Sequence, residues 1–184
     1  MSRIPIHALD SAPPASRALL DSIVHASPTG RPLNFQAQMG HAPAVLASYI
    51  GLRRAGDEFA TLDAKTRAAI MLTAATALRN DYTQAVASLL ALRTGWGEPQ
   101  VAALTAGTDT GDDRLDALLD VVREAAADEG RVKNDTWQAA LAHGWSGEQL
   151  TEAFAPLALI AYTTWFINYA DAERDLPATP APAG

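Results

Sequence analysis

The chain has 184 residues and contains no cysteine. This absence excludes disulfides, thiolate metal ligands and every reaction that requires a cysteine nucleophile. Basic residues are also scarce, because 14 Lys and Arg stand against 21 Asp and Glu and give a formal net charge of -7. Nucleic-acid-binding proteins normally carry a basic patch or stripe, and this sequence has no clustered run of Lys and Arg. We therefore expect no nucleic-acid partner.

The sequence also lacks the short motifs that mark common ligand and cofactor sites. It contains no phosphate-binding loop, no dinucleotide fingerprint and no serine nucleophile elbow. Its carboxylates show no paired spacing that indicates general acid-base catalysis. No two of the 4 histidines have metal-ligand spacing on one helix, and His7, His25 and His143 lie in separate contexts. We expect neither a metal ion nor a cofactor.

Aromatic residues make up only 7% of the chain, whereas 48% is hydrophobic and much of that share is alanine. Alanine is the strongest helix former, so this composition favours packed helices over sheets. The length suffices for one domain with a real core. We predict a single all-α domain over residues 1–176, with an extended arm at residues 1–14 because of its prolines, and a disordered tail at residues 177–184. No signal peptide is visible, so the expected location is the cytoplasm.

Residues 153–170 contain no charged side chain, and their length approaches that of a membrane-spanning helix. They nevertheless include Pro156 and Asn168, and the charged residues Glu152 and Asp171 lie directly at their ends. This polarity favours a buried core or interface helix over a membrane span. We expect no membrane partner.

The clearest helical pattern covers residues 63–96. Asp63 can cap a first amphipathic helix, and either Asn80 or Asp81 can cap a second that ends at Gly95. Residues 33–39 are ambiguous. Further helices are predicted from Ser16 to the breaker cluster at residues 27–30, from His41 to Gly56, from Leu115 to Gly130, and around Trp137 as far as Gly144.

Residues 91–100 and 140–149 resemble each other. Each segment describes the end of a helix, a Gly-Trp corner and the start of a new helix. In the second segment, Ser146 and Gln149 have the spacing of a capping box, which we expect to open the long uncharged helix. An internal repeat of helical hairpins would explain the likeness, and so would ordinary helix-stop and helix-start chemistry. Both interpretations stay open at this point.

Several motifs follow one another over nearly the whole chain in a specific order. They are Arg3-Ile4-Pro5, His41-Ala42-Pro43-Ala44-Val45-Leu46, Gly130-Arg131-Val132, Ala139-Ala140-Leu141-Ala142-His143-Gly144-Trp145-Ser146 with Glu148-Gln149-Leu150, and Glu173-Arg174-Asp175-Leu176-Pro177. Together they resemble the peroxidase-related branch of the alkylhydroperoxidase D and carboxymuconolactone decarboxylase superfamily, although Ala172 replaces the Thr of its usual ending. The resemblance implies an all-helical bundle that assembles into homo-oligomers, as trimers or hexamers.

Active peroxidases of that superfamily open a helix with a Cys-x-x-Cys pair, followed one turn later by a His and preceded by a Glu. Aligned on Tyr82 and the Gly95-Trp96 corner, the thiol positions fall on Asn80 and Thr83, the His on Ala87 and the Glu on Ala68. Thiol peroxidase chemistry is therefore excluded. The decarboxylase branch resembles its relatives in using a His and a Glu there, so their loss also counts against that reaction.

Polar and aromatic side chains near these positions are candidates for a different pocket. The candidate residues are His41, Asn80, Asp81, Tyr82, Thr83, Trp165 and Asn168. Each also has a structural interpretation, as a helix start, a helix cap, core packing or a subunit contact. Two functions stay open: a protein that binds, and as a non-thiol lyase or isomerase transforms, a small organic molecule, or a catalytically inactive oligomer that binds a ligand or a partner. A cavity beside Asn80 and Thr83 would favour the first, and a filled interior the second.

Overall fold

The structure is a computed structural model that describes residues 2–26 and 30–176. The predicted tail at residues 177–184 lies outside the described residues. Within them the chain forms ten helices and no strand, so the all-α prediction is confirmed. The helices are α1 (Pro14–Ala26), α2 (Asn34–Met39), α3 (Pro43–Glu58), α4 (Ala64–Ala77), α5 (Asp81–Arg93), α6 (Glu98–Ala106), α7 (Asp113–Ala127), α8 (Asn134–Ala142), α9 (Gly147–Glu152) and α10 (Phe154–Ala170).

The chain divides into two compact units. Unit 1 contains the described residues up to Ala55 together with Trp165–Asp175. Unit 2 contains Gly56–Thr164 and the described residue Leu176. The expectation of a single domain over residues 1–176 stays a prediction.

In unit 1 the segment before α1, which we call the arm, forms hydrogen bonds to α2 and to the end of α10, and it includes a turn where the Ala12 amide donates to the carbonyl of Ala8. The main-chain amide of Arg3 donates to the carbonyl oxygen of Ala170 at 2.9 Å, and its guanidinium donates to that of Tyr169 at 3.1 Å. The side-chain amide of Gln38 donates to the carbonyl of Ile4 at 2.9 Å. The arm ends earlier than predicted, because α1 already begins at Pro14. Proline is favourable at the first helical position, where its missing N–H would have no partner.

The ambiguous residues 33–39 contain α2, and two side-chain hydrogen bonds of Gln36 stabilise it. The Oε1 atom of Gln36 accepts the amide of Leu33 at 2.9 Å, and its Nε2 atom donates to the hydroxyl of Tyr49 at 3.1 Å. Phe35 is fully buried and packs edge-on against the Tyr49 ring. The predicted stop at Gly56 is wrong, since α3 continues to Glu58. A glycine in a helix costs only about 1 kcal/mol, so it does not end the helix by itself.

Unit 2 is built on α4, which packs against α5, α6 and α7. The predicted cap is confirmed, because the Oδ1 atom of Asp63 accepts the amide of Thr66 at 2.7 Å. Most of α4 is buried, with Ala69, Ile70 and Leu72 fully enclosed. The small side chains of α4 let its neighbours approach closely.

The predicted capping box is present, but it opens a different helix. The Oγ atom of Ser146 accepts the amide of Gln149 at 3.1 Å and starts the short helix α9, not the uncharged helix. The uncharged helix α10 begins separately at Phe154. The break follows from Pro156, which has no N–H to donate to the carbonyl of Glu152 and whose ring crowds that carbonyl.

The apolar stretch Gly147–Ala170 is long and apolar enough to cross a membrane by length and composition alone. Of its most apolar window, 50% is buried inside the protein. A core helix satisfies the same test, so the stretch is weak support for a membrane span.

Candidate functional site

The turn before α5 is a capped helix start. The Oδ1 atom of Asn80 accepts the amides of Tyr82 at 3.1 Å and Thr83 at 2.9 Å. Asn80 is therefore the cap, and Asp81 is the first residue of the helix, where it is exposed. Arg79 enters the turn with a left-handed φ of 54°. The sequence prediction of a cap at this turn is confirmed.

Thr83, at the second thiol position implied by the resemblance, is fully buried. Its Oγ1 atom lies 3.1 Å from the carbonyl oxygen of Asn80, 3.2 Å from the Asn80 Oδ1 atom and 3.0 Å from the Oγ1 atom of Thr164. A hydroxyl has one hydrogen to donate and two lone pairs. The two Asn80 oxygens are acceptors that share its one hydrogen, and the Thr164 hydroxyl can donate to one of its lone pairs. Because Thr83 is also fully buried, it presents no group to a ligand.

The other implied relay positions are equally enclosed. Ala68 and Ala87 are each 1% exposed and belong to the hydrophobic core of unit 2. Tyr82 is also buried, at 3% exposed. Both alanines are therefore enclosed by protein atoms, and no proton-transferring side chain stands at either position.

His41 lies in unit 1, where it is exposed and paired with a histidine of the arm. Its Nδ1 atom is 2.9 Å from the Nε2 atom of His7, and the two ring planes are parallel to within 7°. One ring nitrogen donates and the other accepts, and the tautomers decide which. The expectation that His7 lies in a separate context is wrong. The two residues are 34 positions apart and meet only because the arm folds back, which no sequence spacing signals.

Trp165 and Asn168 also lie in unit 1, on the exposed face of the end of α10. Trp165 is 63% exposed, and Tyr169, one turn further on, is 73% exposed. The predicted site residues therefore fall in two units: His41, Trp165 and Asn168 in unit 1, and Asn80–Thr83 in unit 2. A single pocket formed by all of them stays a prediction.

Unit 2 contains the internal repeat. We call α4, α5 and the corner at Trp96 the first hairpin, and α7, α8 and the corner at Trp145 the second hairpin. The Nε1–H of Trp96 donates to the carbonyl of Lys65 at 2.9 Å, and that of Trp145 donates to the carbonyl of Arg114 at 2.6 Å. Both bonds span 31 residues. The residue that supplies each accepting carbonyl also places its cation over the same indole, at 4.5 Å from the ring centroid for Lys65 and 4.2 Å for Arg114.

The backbone repeats the same pattern. Gly95 and Gly144 precede the two tryptophans with left-handed φ values of 95° and 90°, which glycine adopts without strain. The side chains of Gln100 and Gln149 each accept the amide three residues upstream at 3.1 Å. Generic turn chemistry explains the glycines and glutamines, but not two indoles bonded to equivalent carbonyls. The repeat is therefore a feature of the fold.

A cavity of about 400 Å³ lies between the two hairpins, and we call it the junction cavity. Its walls come from both hairpins in equivalent pairs: Asp63 and Asp112, Lys65 and Arg114, Thr66 and Leu115, Trp96 and Trp145. Sequence reasoning missed this cavity. The repeated Gly-Trp corner was the available signal, because equivalent corners that pack together place equivalent residues at one junction.

Glu152 holds the segment that leads into this cavity. Its carboxylate accepts the main-chain amides of Thr61 and Leu62, each at 2.9 Å, and the hydroxyl of Thr61. Burial alone would raise the pKa of Glu152, but these hydrogen bonds from Thr61 and Leu62 outweigh it and lower the pKa. The carboxylate therefore stays ionised and fixes the approach to the Asp63 cap.

A second, acidic groove of about 580 Å³ runs between α7 and α8. The Oε1 atom of Glu124 there pairs with the Lys133 ammonium at 2.8 Å, and the Lys133 amide donates to Oε2 at 3.0 Å. Hydrogen bonds from Lys133 and from Thr136 lower the pKa of Glu124 to about 2. Within the part of the chain that the structure describes, no three His, Asp or Glu side chains converge as metal ligands.

Solved structures of three proteins share this fold. A peroxidase-related protein of Ralstonia eutropha JMP134 with an alkylhydroperoxidase AhpD core superposes with a TM-score of 0.81 at 16% identity, covering 95% of this chain and 92% of that one. The debrominase Bmp8, as a Cys-to-Ala variant in complex with 2,3,4-tribromopyrrole, gives 0.78 at 18% identity over 96% and 92%. A peroxidase-related protein of Silicibacter sp. TM1040 gives 0.79 at 9% identity over 98% and 94%.

No family model matches the chain, and no curated protein matches it. The structural likeness extends over nearly the full length of each chain, but the low identities establish the fold alone. The resemblance read from the sequence motifs is confirmed at that level. The chain therefore has the helical fold of the alkylhydroperoxidase D-like, peroxidase-related proteins, without any cysteine in it.

Proposed function

We propose that the protein binds a small organic molecule. We propose further that the protein carries out no redox chemistry at the turn before α5. The observation that carries this proposal is the filled interior at that turn. Thr83 is 0% exposed, and Ala68 and Ala87 are each 1% exposed, so there is neither a reactive group nor room for a substrate among them. Of the two functions left open by the sequence, the inactive binding protein is the one that this packing supports.

The fold relatives support a small organic ligand. One of them, a debrominase, was solved with 2,3,4-tribromopyrrole bound, so this helical scaffold can enclose a compact organic molecule. Pockets for such ligands are typically about 300–1,000 Å³, and the junction cavity, at about 400 Å³, falls in that range. A cytoplasmic location fits a protein of this kind and stays part of the proposal.

A ligand survey with product analysis tests the proposal. The purified chain is screened by thermal unfolding against a panel of small aromatic, heteroaromatic and carboxylate compounds, including 2,3,4-tribromopyrrole. Each compound that raises the melting temperature is then incubated with the protein and recovered for mass spectrometry. We expect at least one stabilising compound, recovered unchanged. Conversion of any compound would overturn the non-catalytic part, and a panel without a single stabilising compound would overturn the binding part.

The exposed aromatic residues at the end of α10 support the homo-oligomer that the family resemblance implies. Trp165 and Tyr169 lie one helical turn apart, are 63% and 73% exposed, and sit in a stretch without charges. Large exposed aromatic rings are enriched where subunits meet. Light scattering should give a mass above that of one chain, and Trp165→Arg with Tyr169→Arg should reduce it. An unchanged mass would exclude this surface from the contact.

A further inference from the structure

We propose that the junction cavity binds a small organic dianion, with one anionic group held by Lys65 and the other by Arg114. The inference rests on the proposed binding role and adds to it a site and a ligand class. It is independent of the turn before α5, because the residues of the cavity come from the starts of α4 and α7 and from the two Gly-Trp corners.

The Lys65 and Arg114 charges are not neutralised by a carboxylate of the described part of the chain. Among the described residues, neither Lys65 nor Arg114 forms an ion pair with an acidic side chain. The Lys65 ammonium contacts the Trp96 indole, and the Arg114 guanidinium contacts the Trp145 indole and, at 3.4 Å, the carbonyl of Gly144. Lys65 and Arg114 are exposed, and at exposed sites a cation–π contact gains only about 0.5–1 kcal/mol. A ligand carboxylate can therefore take either cation as its partner at little cost.

The acidic residues of the cavity do not fill that role. The Oδ1 atom of Asp63 accepts the amide of Thr66, and that of Asp112 accepts the amides of Arg114 and Leu115 at 3.0 and 3.1 Å. Both carboxylates are thus directed at their own helix starts. At each helix start a carboxylate already accepts main-chain amides, those of Thr66 in α4 and of Arg114 and Leu115 in α7, and its negative charge disfavours a second anion there. Recognition is left to the Lys65 and Arg114 side chains.

The repeat determines that the ligand has two anionic groups. Because the same cation and indole occur once in each hairpin, a molecule lying across the junction meets two equivalent positive ends. Between them the lining is mixed: Leu62, Leu115 and the indole edges are apolar, and Thr61, Thr66 and Gln149 are polar. A dicarboxylate with a short carbon body matches the two cations and the mixed lining between them.

Titration calorimetry with a series of dicarboxylates tests the site. The series runs through succinate, glutarate, adipate and terephthalate, with butyrate and benzoate as one-headed controls, at low ionic strength where screening is weak. We expect one member to bind with a stoichiometry of one and more tightly than either control. Lys65→Met and Arg114→Met keep the side-chain stem on its indole and remove the charge. Each should weaken binding by about 10- to 100-fold, the effect of one charge-assisted hydrogen bond.

Arg131→Met is the matched control, because Arg131 lies outside the cavity and pairs with Asp128 and Glu129 on the surface. It removes the same charge and should leave binding unchanged. If a Met variant does not fold, Lys65→Gln and Arg114→Gln replace the pair. The inference is overturned if no dicarboxylate binds, if the one-headed controls bind as tightly, or if neither cavity variant weakens binding. A ligand that binds elsewhere in the chain would overturn this site and leave the proposed function intact.

Discussion

The first and second hairpins of unit 2 end in the same corner but begin their second helices in different ways. At both corners an indole donates to a carbonyl 31 residues upstream and lies under a cation. The start of α5 is capped by Asn80 and leads into the buried Thr83 hydroxyl. The start of α8, at Lys133, has no side-chain cap and carries a surface ion pair with Glu124.

This comparison separates what the fold requires from what it tolerates. The corner joins two helices and closes the core, so both hairpins keep it. The start of the second helix contributes less to closing the core, since the first hairpin buries the start of α5 and the second hairpin exposes the start of α8. In this chain the buried start is also the position where the resemblance places the lost thiols. The fold therefore forms without thiols at this position, because the corners do not depend on them.

The largest expected effect comes from breaking the corners. Trp96 and Trp145 are each 7% exposed, and deleting a large buried aromatic side chain costs about 3–5 kcal/mol. We expect Trp96→Ala and Trp145→Ala to lower the free energy of unfolding by similar amounts, measured by urea denaturation. If one variant were nearly neutral, the corners would not be equivalent.

The Phe variants refine this result. Trp96→Phe and Trp145→Phe keep one ring under the cation, and they remove the Nε1–H bond to the Lys65 or Arg114 carbonyl together with the packing of the second indole ring. Each should cost less than the corresponding Ala variant. Equal losses for the Phe and Ala variants would mean that the hydrogen bond, rather than packing, holds the corner.

A smaller effect is expected at the buried start of α5. Thr83→Val keeps the side-chain shape but leaves the Thr164 hydroxyl without its 3.0 Å partner, which costs about 1–3 kcal/mol. Adding Thr164→Val removes the unpaired group and should recover part of the loss. Thr163→Val is the matched control, since the Thr163 hydroxyl bonds only to the carbonyl of Leu159 in its own helix. A double variant that is no more stable than Thr83→Val would show that the two hydroxyls are not coupled.

The sequence predicts those parts of this structure that depend on neighbouring residues. Asp63 and Asn80 cap their helices as expected, because a cap bonds to amides within three residues. The same local chemistry explains one error. Pro156 signals a helix break at Glu152, whereas the absence of charge from residues 153–170 favours one helix that begins at Ser146 and runs across this break.

The contacts that define the candidate sites are not local. Thr83 meets Thr164 across 81 positions, and Glu152 meets Thr61 across 91. These pairs come together through packing, which one sequence does not encode in any spacing. The junction cavity is intermediate in how far the sequence predicts it. Its equivalent walls follow from the repeated corner, but only the folded chain shows that the two corners face one space.

The helix caps offer a third comparison, with a smaller effect. Asn80→Ala removes the acceptor for the amides of Tyr82 and Thr83 and should cost about 1 kcal/mol in the free energy of unfolding. Asn80→Asp keeps the acceptor and should cost less. Asp81→Ala is the control, because Asp81 was the alternative cap and is an exposed first-turn residue. A larger loss for Asp81→Ala than for Asn80→Ala would contradict the assignment of the cap.

The smallest effect concerns the ion pair that marks the exposed start of α8. The pKa of Glu124 is lowered from 4.5 to about 2, so its contribution to stability is complete above pH 4.5 and is lost as the pH falls towards about 2. Glu124→Gln should therefore be less stable than the wild type at pH 7, and the difference should shrink over that interval. Lys133→Met removes the partner of Glu124, so the difference in stability between this variant and the wild type should also shrink as the pH falls. Urea midpoints at pH 7, 4, 3 and 2 measure it. A difference that is constant with pH would mean that the Glu124 carboxylate does not stabilise this hairpin. The first hairpin has Ala75 at the position equivalent to Glu124, and the absence of a carboxylate there would then cost it no stability.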